Sequence, residues 1–450
     1  MTEAFLIETS RFPASAELRR KAHRLIPGGA HTYAKGDDQY PVQAPGFVAS
    51  GSGCRVRDVD GNEFVEFGMG NRAVGLGHGY APVVEAARRA LDLGCNFTRP
   101  HRMEVECAEA LLELVPGAEM AKFCKDGSDA TSAAVRLARA YTGRELVAIC
   151  ADHPFFSTDD WFIGTTPVAA GVPRAVRDLT KTFRYGDLES ARALFAAHPG
   201  EIALVMLEAS RNEDPPPGYL EGLRDLAHAN GALFVLDEMI TGFRWSRGGA
   251  QALYGIEPDL SCFGKAMGNG FALSALVGRR EFMRLGGLEH TDRPRVFLLS
   301  TTHGAETHAL AAGIATMRVY RDEPVIEHLE ARGAELHVGL RDAAARHGLV
   351  DHVKPMGRHS CLAYATLDAE GRPSQAFRSL FLQETIRRGI LAPSLVVSYA
   401  HSPKDVARAL EAIDGALAVY ARALEDGVER HLEGRPSQVV YRAYNGPGYP

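Results

Sequence analysis

The sequence is poor in the features that mark several whole classes of protein. No apolar run approaches the roughly 18 residues that a membrane-spanning helix needs, so no membrane partner is expected. The first residues carry Glu3 and Glu8 rather than the basic stretch and apolar run of a secretion signal. Seven cysteines, at 54, 95, 107, 124, 150, 262 and 361, are an odd number with no Cys-x-x-Cys pair. That excludes the common zinc and redox motifs, and free thiols in a reducing cytoplasm are the natural reading. No metal site is expected. The 50 basic residues are outnumbered by 56 acidic ones, for a net charge of −6 without any basic block, which argues against nucleic acid as a partner. Internal repeats and low-complexity tracts are also missing. What remains is an ordinary globular composition, 46% hydrophobic and 24% charged, over 450 residues, enough chain for two or three domains.

Within that chain, helical and strand patterns alternate. Ala81 to Gly94 carries Val83, Val84, Ala87 and Leu91 at helical spacing, and Val105, Ala108, Leu111, Leu112 and Val115 repeat the period. Short β-prone runs follow at Leu146–Cys150, Ala203–Leu207, Ala232–Leu236 and Leu273–Val277, apolar on both faces as buried strands are. The pattern predicts an α/β fold with a mostly parallel sheet wrapped by helices. Beyond Thr302, amphipathic stretches at 309–320, 325–347, 375–388 and 403–425 predict a smaller α+β domain. The expected division is an N-terminal segment 1–65, a large domain 66–305, a small domain 306–425 and an irregular tail 426–450.

Three segments could carry chemistry. Lys125-Asp126-Gly127-Ser128-Asp129-Ala130-Thr131 precedes a helical run, so free amides and the helix dipole could hold a phosphate; the same residue types also simply cap helices. Ala232 to Met239 is an apolar strand that delivers Asp237 and Glu238 at its C-terminal edge, where open α/β sheets bind ligands. A carboxylate there can pair with a protonated ring nitrogen, or serve only as a capping or ion-pair acid. Lys265 stands between an apolar run and a Gly-rich stretch, where desolvation would make its amine nucleophilic, although most lysines are solvated surface charges. Phosphate cup, ring-nitrogen acid and aldehyde-trapping lysine, in that order, are what a pyridoxal 5′-phosphate site requires.

On these segments the chain resembles the class III aminotransferases of fold type I, and among them the glutamate-1-semialdehyde aminomutase branch. The likeness runs from Pro27-Gly28-Gly29 to about residue 424 and includes DVDGNEFVEFG (58–68), MEVECAEALLELVPG (103–117), LDEMITGFR (236–244), PDLSCFGK (258–265) and ETHALAAG (306–313). The resemblance implies Lys265 as the Schiff-base lysine and Asp237 as the partner of the pyridine nitrogen. It implies Gly127 and Ser128 in the phosphate cup, with Asp126 in place of the family's serine. Phe155 would stack on one ring face and Met239 support the other, and Thr302 would reach the phosphate of a neighbouring subunit in a homodimer. Glu208 fits the family's Glu-Pro glutamate, although Ala209 replaces the proline.

The departures bear on substrate. The aminomutase arginine that fixes a substrate carboxylate is missing after Pro-Gly-Gly, where Lys35 stands nearest, and the gating glutamate after Ala-Pro-Ser is missing too. An aminomutase must retain its intermediate, so the losses favour a two-substrate aminotransferase. Its amino donor would be a small molecule such as L-glutamate and its acceptor a keto or aldehyde compound. Arg72 and Arg99 are candidates for acidic groups, and His31, Tyr33 and Lys35 for a substrate with many hydroxyls. PGGAHTYAKGDD and DDWFIGTT resemble the branch that aminates an octulosonate sugar acid for lipopolysaccharide. The rivals are a 2,1-aminomutase on the same site, a dinucleotide-binding oxidoreductase, and a catalytically silent relative. No strand leads into Gly-x-Gly-x-x-Gly, which weakens the oxidoreductase, and retention of both Lys265 and Asp237 weakens the silent relative.

Overall fold

The computed structural model describes residues 12–153 and 155–445. Glu3, Glu8, Pro154 and the last five residues of the tail lie outside the described residues. By internal packing the chain forms two compact units, one made of Arg72–Leu76 and Tyr80–Glu327, the other of the chain before Arg72, Gly77–Gly79 and the chain after Glu327.

The second unit begins with helix α1 (Pro13–Leu25) and a meander of β1 (Val48–Ser52), β2 (Arg55–Asp58) and β3 (Glu63–Glu66), antiparallel in turn. The short strand Ile390–Leu391 joins β3 in parallel. Phe12, Ala44, Val56, Phe64, Ile386 and Leu391 form one apolar cluster beneath this sheet, so the N-terminal segment shares its core with the C-terminal part.

The larger unit holds a seven-stranded sheet. Its strands are β4 (Met120–Cys124), β5 (Leu146–Cys150), β6 (Thr180–Phe183), β7 (Ile202–Leu207), β8 (Leu233–Asp237), β9 (Leu260–Phe263) and β10 (Ser274–Gly278), in spatial order β4-β10-β9-β8-β7-β5-β6. The five strands β5 to β9 run parallel, and β10 is antiparallel to both β9 and β4. Every residue of β5, β7 and β8 is buried, as expected of strands covered on both faces. Helices α2 (Ala81–Asp92), α3 (Arg102–Leu114), α4 (Gly127–Thr142), α5 (Leu188–Ala197), α6 (Tyr219–Ala229) and α7 (Thr307–Asp322) complete the unit. Helix α7 packs on α2 and α3, so the stretch after residue 305 continues the large unit as far as Glu327.

Two helical faces differ from the spacing argument. The buried line of α2 is Val83, Ala87 and Ala90, while Leu91 is exposed. In α3 the buried residues are Cys107 and Leu111, and Val105 is exposed. Residues four and three apart share a stripe, and Leu91 and Val105 fall on its flank.

The topology decides where chemistry can occur. Because β7, β8 and β9 are adjacent and parallel, their C-terminal ends lie on one edge of the sheet, with Leu207 opposite Leu236 and Asp237 opposite Cys262. The residues that leave that edge are Glu208, Asp237 and Glu238, and Gly264-Lys265.

Candidate active site

Lys265 opens a short 3-10 turn, Lys265–Gly268, with its own φ at +45°. Asn269 closes the turn at φ +43° and accepts a hydrogen bond from the Leu76 amide at 2.9 Å through Oδ1. A left-handed backbone at a lysine is costly, of order 1–2 kcal/mol. It aims the side chain off the strand end. Lys265 is partly buried, and its amine makes no hydrogen bond among the described residues. Burial lowers its pKa; Asp237 and Glu208 oppose that shift, while Arg72 and Arg211 add to it. A larger fraction of the amine is therefore neutral, and hence nucleophilic, than in a solvated lysine.

Asp237 is buried at 3% exposure, and its Oδ1 accepts from the Met239 amide at 2.9 Å. Burial raises its pKa, Glu208 raises it further, and Lys265 pulls the other way. A buried carboxylate in that condition is stabilised by one more cation, which a protonated ring nitrogen supplies. Glu238, one residue on, has a different task. It is fully buried and accepts from the Thr241 hydroxyl and from the amides of Ala250 at 2.8 Å and Gln251 at 2.7 Å, capping the helix Gly249–Tyr254; burial pushes its pKa up to about 7.

Met239 ties the phosphate segment to the lysine strand. A Cβ built on Gly127 would come within 3.0 Å of its sulfur, and one on Gly264 within 2.6 Å. At Gly264 an added Cβ would also come within 2.4 Å of Ser274 Oγ, so that position is closed from two sides, whereas at Gly127 the Met239 side chain would have to give way by a few tenths of an ångström. At the start of α4, Asp126 caps the helix by accepting from the Asp129 amide at 3.1 Å. The amides of Gly127 and Ser128 have no partner among the described residues. Capping and an open pair of amides therefore coexist at one helix end. The Ser128 hydroxyl accepts from the Thr158 amide at 3.0 Å, and Thr131 Oγ1 donates to the Phe156 carbonyl at 2.8 Å, which pins the 155–158 loop to α4. On that loop Phe156 is buried and Phe155 is 43% exposed, its ring edge-on to Phe162.

Lys265, Asp237, Met239, Gly127, Ser128 and Glu208 are thus gathered on one sheet edge and the adjoining helix start. Arg72 joins them electrostatically. Its φ is +72°, its carbonyl accepts from buried Arg244 Nη2 at 3.1 Å, and its own guanidinium is unbonded among the described residues. Thr302 and Arg99 are elsewhere in this unit. Both are exposed and line an open cavity of about 680 Å³ with Asn96, Phe97 and His101. The Thr302 carbonyl accepts from Asn96 Nδ2 at 3.0 Å. His31, Tyr33 and Lys35 belong to the other unit, exposed around the turn Tyr33–Lys35.

Sequence reasoning passed over His153, Arg211 and Arg244. His153 is buried, and its Nδ1 accepts from the Glu208 amide at 3.0 Å. Arg211 stands 3.9 Å from Glu208 Oε2. The altered loop after Glu208 was the signal for Arg211, and Arg244 ends the LDEMITGFR segment; His153 had no signal, since its partner Glu208 is distant in sequence.

An unbonded amine, a buried acid on the adjacent strand end and two open amides at a helix start fit pyridoxal phosphate, and the fold and site together define a fold type I enzyme of that cofactor class. Residues 36–363 match the family Aminotransferase class-III, and the chain belongs to this family of pyridoxal-phosphate-dependent aminotransferases. It is 35% identical over 431 residues to the glutamate-1-semialdehyde 2,1-aminomutase of Desulforudis audaxviator, covering 89% of this chain and 97% of that one. The enzyme of the same name from Chloroflexus aurantiacus is 34% identical, with 93% and 100% covered. Among solved structures, the FumI protein of Sphingopyxis sp. MTA144 in a pyridoxal-phosphate form superposes with a TM-score of 0.84 at 30% identity, over 94% of this chain and 98% of that one. An omega-transaminase from Sphaerobacter thermophilus does so at 0.79 and 25%, over 92% and 98%.

Proposed function

We propose that the chain is a two-substrate aminotransferase that moves an amino group from a donor such as L-glutamate to a keto or aldehyde acceptor, working as a cytoplasmic homodimer. The observation that carries this reading is the unbonded Lys265 amine beside Asp237 on neighbouring strand ends. Bound pyridoxal phosphate supplies an aldehyde that condenses with amines and a ring that takes up an electron pair. The residues would divide the rest of the work. Gly127 and Ser128 amides, with the dipole of α4, hold the phosphate. Asp237 keeps the ring nitrogen protonated, which its burial makes possible without competition from water. Once the donor amine has taken its place, Lys265 would hold the proton removed from the donor's α-carbon and deliver it to the cofactor carbon that carried the aldehyde, and its lowered pKa suits it to both tasks. Met239 and Phe155 bracket the ring, and Arg72 attracts an acidic substrate group.

The acceptor we favour is a keto-sugar acid, on the resemblance of the PGGAHTYAKGDD and DDWFIGTT segments to that branch and on the hydroxyl-reading potential of His31, Tyr33 and Lys35. The second reading is a 2,1-aminomutase, favoured by the names of the curated relatives and opposed by the two aminomutase residues this chain lacks. The two separate in one experiment. Enzyme loaded with the cofactor and given L-glutamate alone should release one equivalent of 2-oxoglutarate per chain and keep the amino group on the protein. A chain that isomerises an amino-aldehyde with no external donor, and releases nothing from glutamate, is the aminomutase.

A further inference from the structure

We propose that Glu306 is a positioning residue for the shared cofactor site: its carboxylate holds the turn at 300–305 in the shape that presents the Thr302 hydroxyl to a cofactor phosphate bound by a second copy of the chain. The inference rests on the aminotransferase reading and, within it, on Thr302 crossing between subunits.

The turn needs holding. It opens at Leu299, whose φ of +48° is a left-handed conformation that a branched apolar residue adopts only under constraint. Thr302 is exposed beside the open cavity, and its hydroxyl makes no hydrogen bond among the described residues, so that side chain fixes nothing itself. Restraint comes from the flanks. Asn96 donates to the Thr302 carbonyl at 3.0 Å, and His303 Nδ1 lies 3.1 Å from Glu306 Oε1. A carboxylate only accepts, so Nδ1 is the nitrogen that carries the hydrogen. The other oxygen, Glu306 Oε2, takes the Lys125 ammonium at 2.5 Å. The chain then enters α7, where Thr307 is anchored to the Gly94 and Cys95 carbonyls at 2.8 and 3.1 Å.

This carboxylate is placed unlike the surface acids of the same unit. Its side chain is 17% exposed and that of Lys125 27%, against 64% and 71% for the pair Glu85–Arg89. Fully exposed pairs contribute little, whereas a charge-assisted bond drawn this far out of water fixes a geometry. The hydrogen bond from Lys125 holds the Glu306 pKa below the usual glutamate value, with His303 and His308 acting in the same direction, so the charge persists. Lys125 leaves β4 directly before Asp126, and its amide donates to Asp129 Oδ2 at 3.2 Å. The turn is therefore moored to a strand end and a helix start rather than to another loop.

The probes are pyridoxal 5′-phosphate and pyridoxal, which lacks the phosphate, each titrated into the full chain stripped of cofactor. Glu306→Gln should weaken pyridoxal phosphate by roughly tenfold, the loss expected of one hydrogen bond to a charged group, and leave pyridoxal within about twofold of wild type. Thr302→Ala should do the same, and the double variant should bind no worse than Thr302→Ala alone, because without the hydroxyl the shape of the turn has nothing left to present. Lys125→Arg, which keeps the charge, should bind pyridoxal phosphate more tightly than Lys125→Met, and decides the matter if Glu306→Gln melts abnormally. Unchanged pyridoxal phosphate affinity in Glu306→Gln where Thr302→Ala loses it, equal losses for the two probes, or losses that add in the double variant would overturn the proposal. No loss in Thr302→Ala defeats the shared site itself and this inference with it. Wild type that shows the expected pattern but releases no 2-oxoglutarate from glutamate would retain the inference and defeat the aminotransferase reading instead.

Discussion

Replacing Asp237 by Asn separates the electrostatic role of the strand-end acid from its structural one. The amide oxygen of Asn can still accept from the Met239 amide, so the end of β8 keeps its 2.9 Å hydrogen bond. What disappears is the negative charge. Asp237 is 3% exposed, and breaking an ion pair at such depth costs about 3–5 kcal/mol. If that interaction is fully made only as electrons reach the ring, kcat falls by roughly two to almost four powers of ten. Without the cofactor the effect reverses, because burial and Glu208 already raise the acid's pKa and its charge is a burden to the empty fold. Cofactor-free Asp237→Asn should therefore melt no lower than wild type. The assay is steady-state turnover at saturating cofactor, with cofactor content measured by absorbance and melting followed by calorimetry. Turnover within tenfold of wild type, at full cofactor occupancy, would show that the ring nitrogen does not depend on Asp237.

Borohydride reduction of cofactor-loaded enzyme should place a phosphopyridoxyl mass on the tryptic peptide containing Lys265; a label on any other lysine contradicts the assignment. Glu238, with a pKa raised from 4.5 to about 7, binds its proton more tightly in the folded chain, so the stability it confers is greatest below pH 4.5 and is lost as pH rises through 7. The stability of wild type relative to Glu238→Gln should fall by on the order of 3 kcal/mol between pH 4.5 and 8 in denaturant titrations, and a flat difference would refute this. Mixing Lys265→Ala with Thr302→Ala subunits should restore activity above either parent if Thr302 completes the partner's site, because one site of each mixed dimer carries neither lesion. No recovery, after demonstrated subunit exchange and a loss in each parent, counts against a shared site.

Much of this fold was readable from local pattern. The run Leu146–Cys150 coincides with β5, and the four C-terminal amphipathic stretches match helices within about two residues, because continuous apolar runs and helical spacing report burial directly. Three strands of the seven-stranded sheet were not named: Leu260–Phe263 showed only as the apolar run before Lys265, and the other two lie at the sheet edges. Met120–Cys124 and Thr180–Phe183 each interleave charged or polar residues, since they lie at the two edges of the sheet. The site divided in the same way. The segments around Gly127, Asp237 and Lys265 were visible singly because each joins a regular element to a Gly or acid signal. Their junction was not, since Met239 wedged between Gly127 and Gly264 is a fact of packing.

The left-handed backbone at Lys265 sets selection against itself at one position. Glycine there would relieve a conformational cost of about 1 kcal/mol and leave the turn to Gly268 intact. A chain evolving for durability alone would discard the lysine. Only the amine's chemistry opposes that drift, so Lys265→Gly should yield an inert protein that outlasts its active parent, and lineages released from catalysis should lose the lysine before they lose the fold.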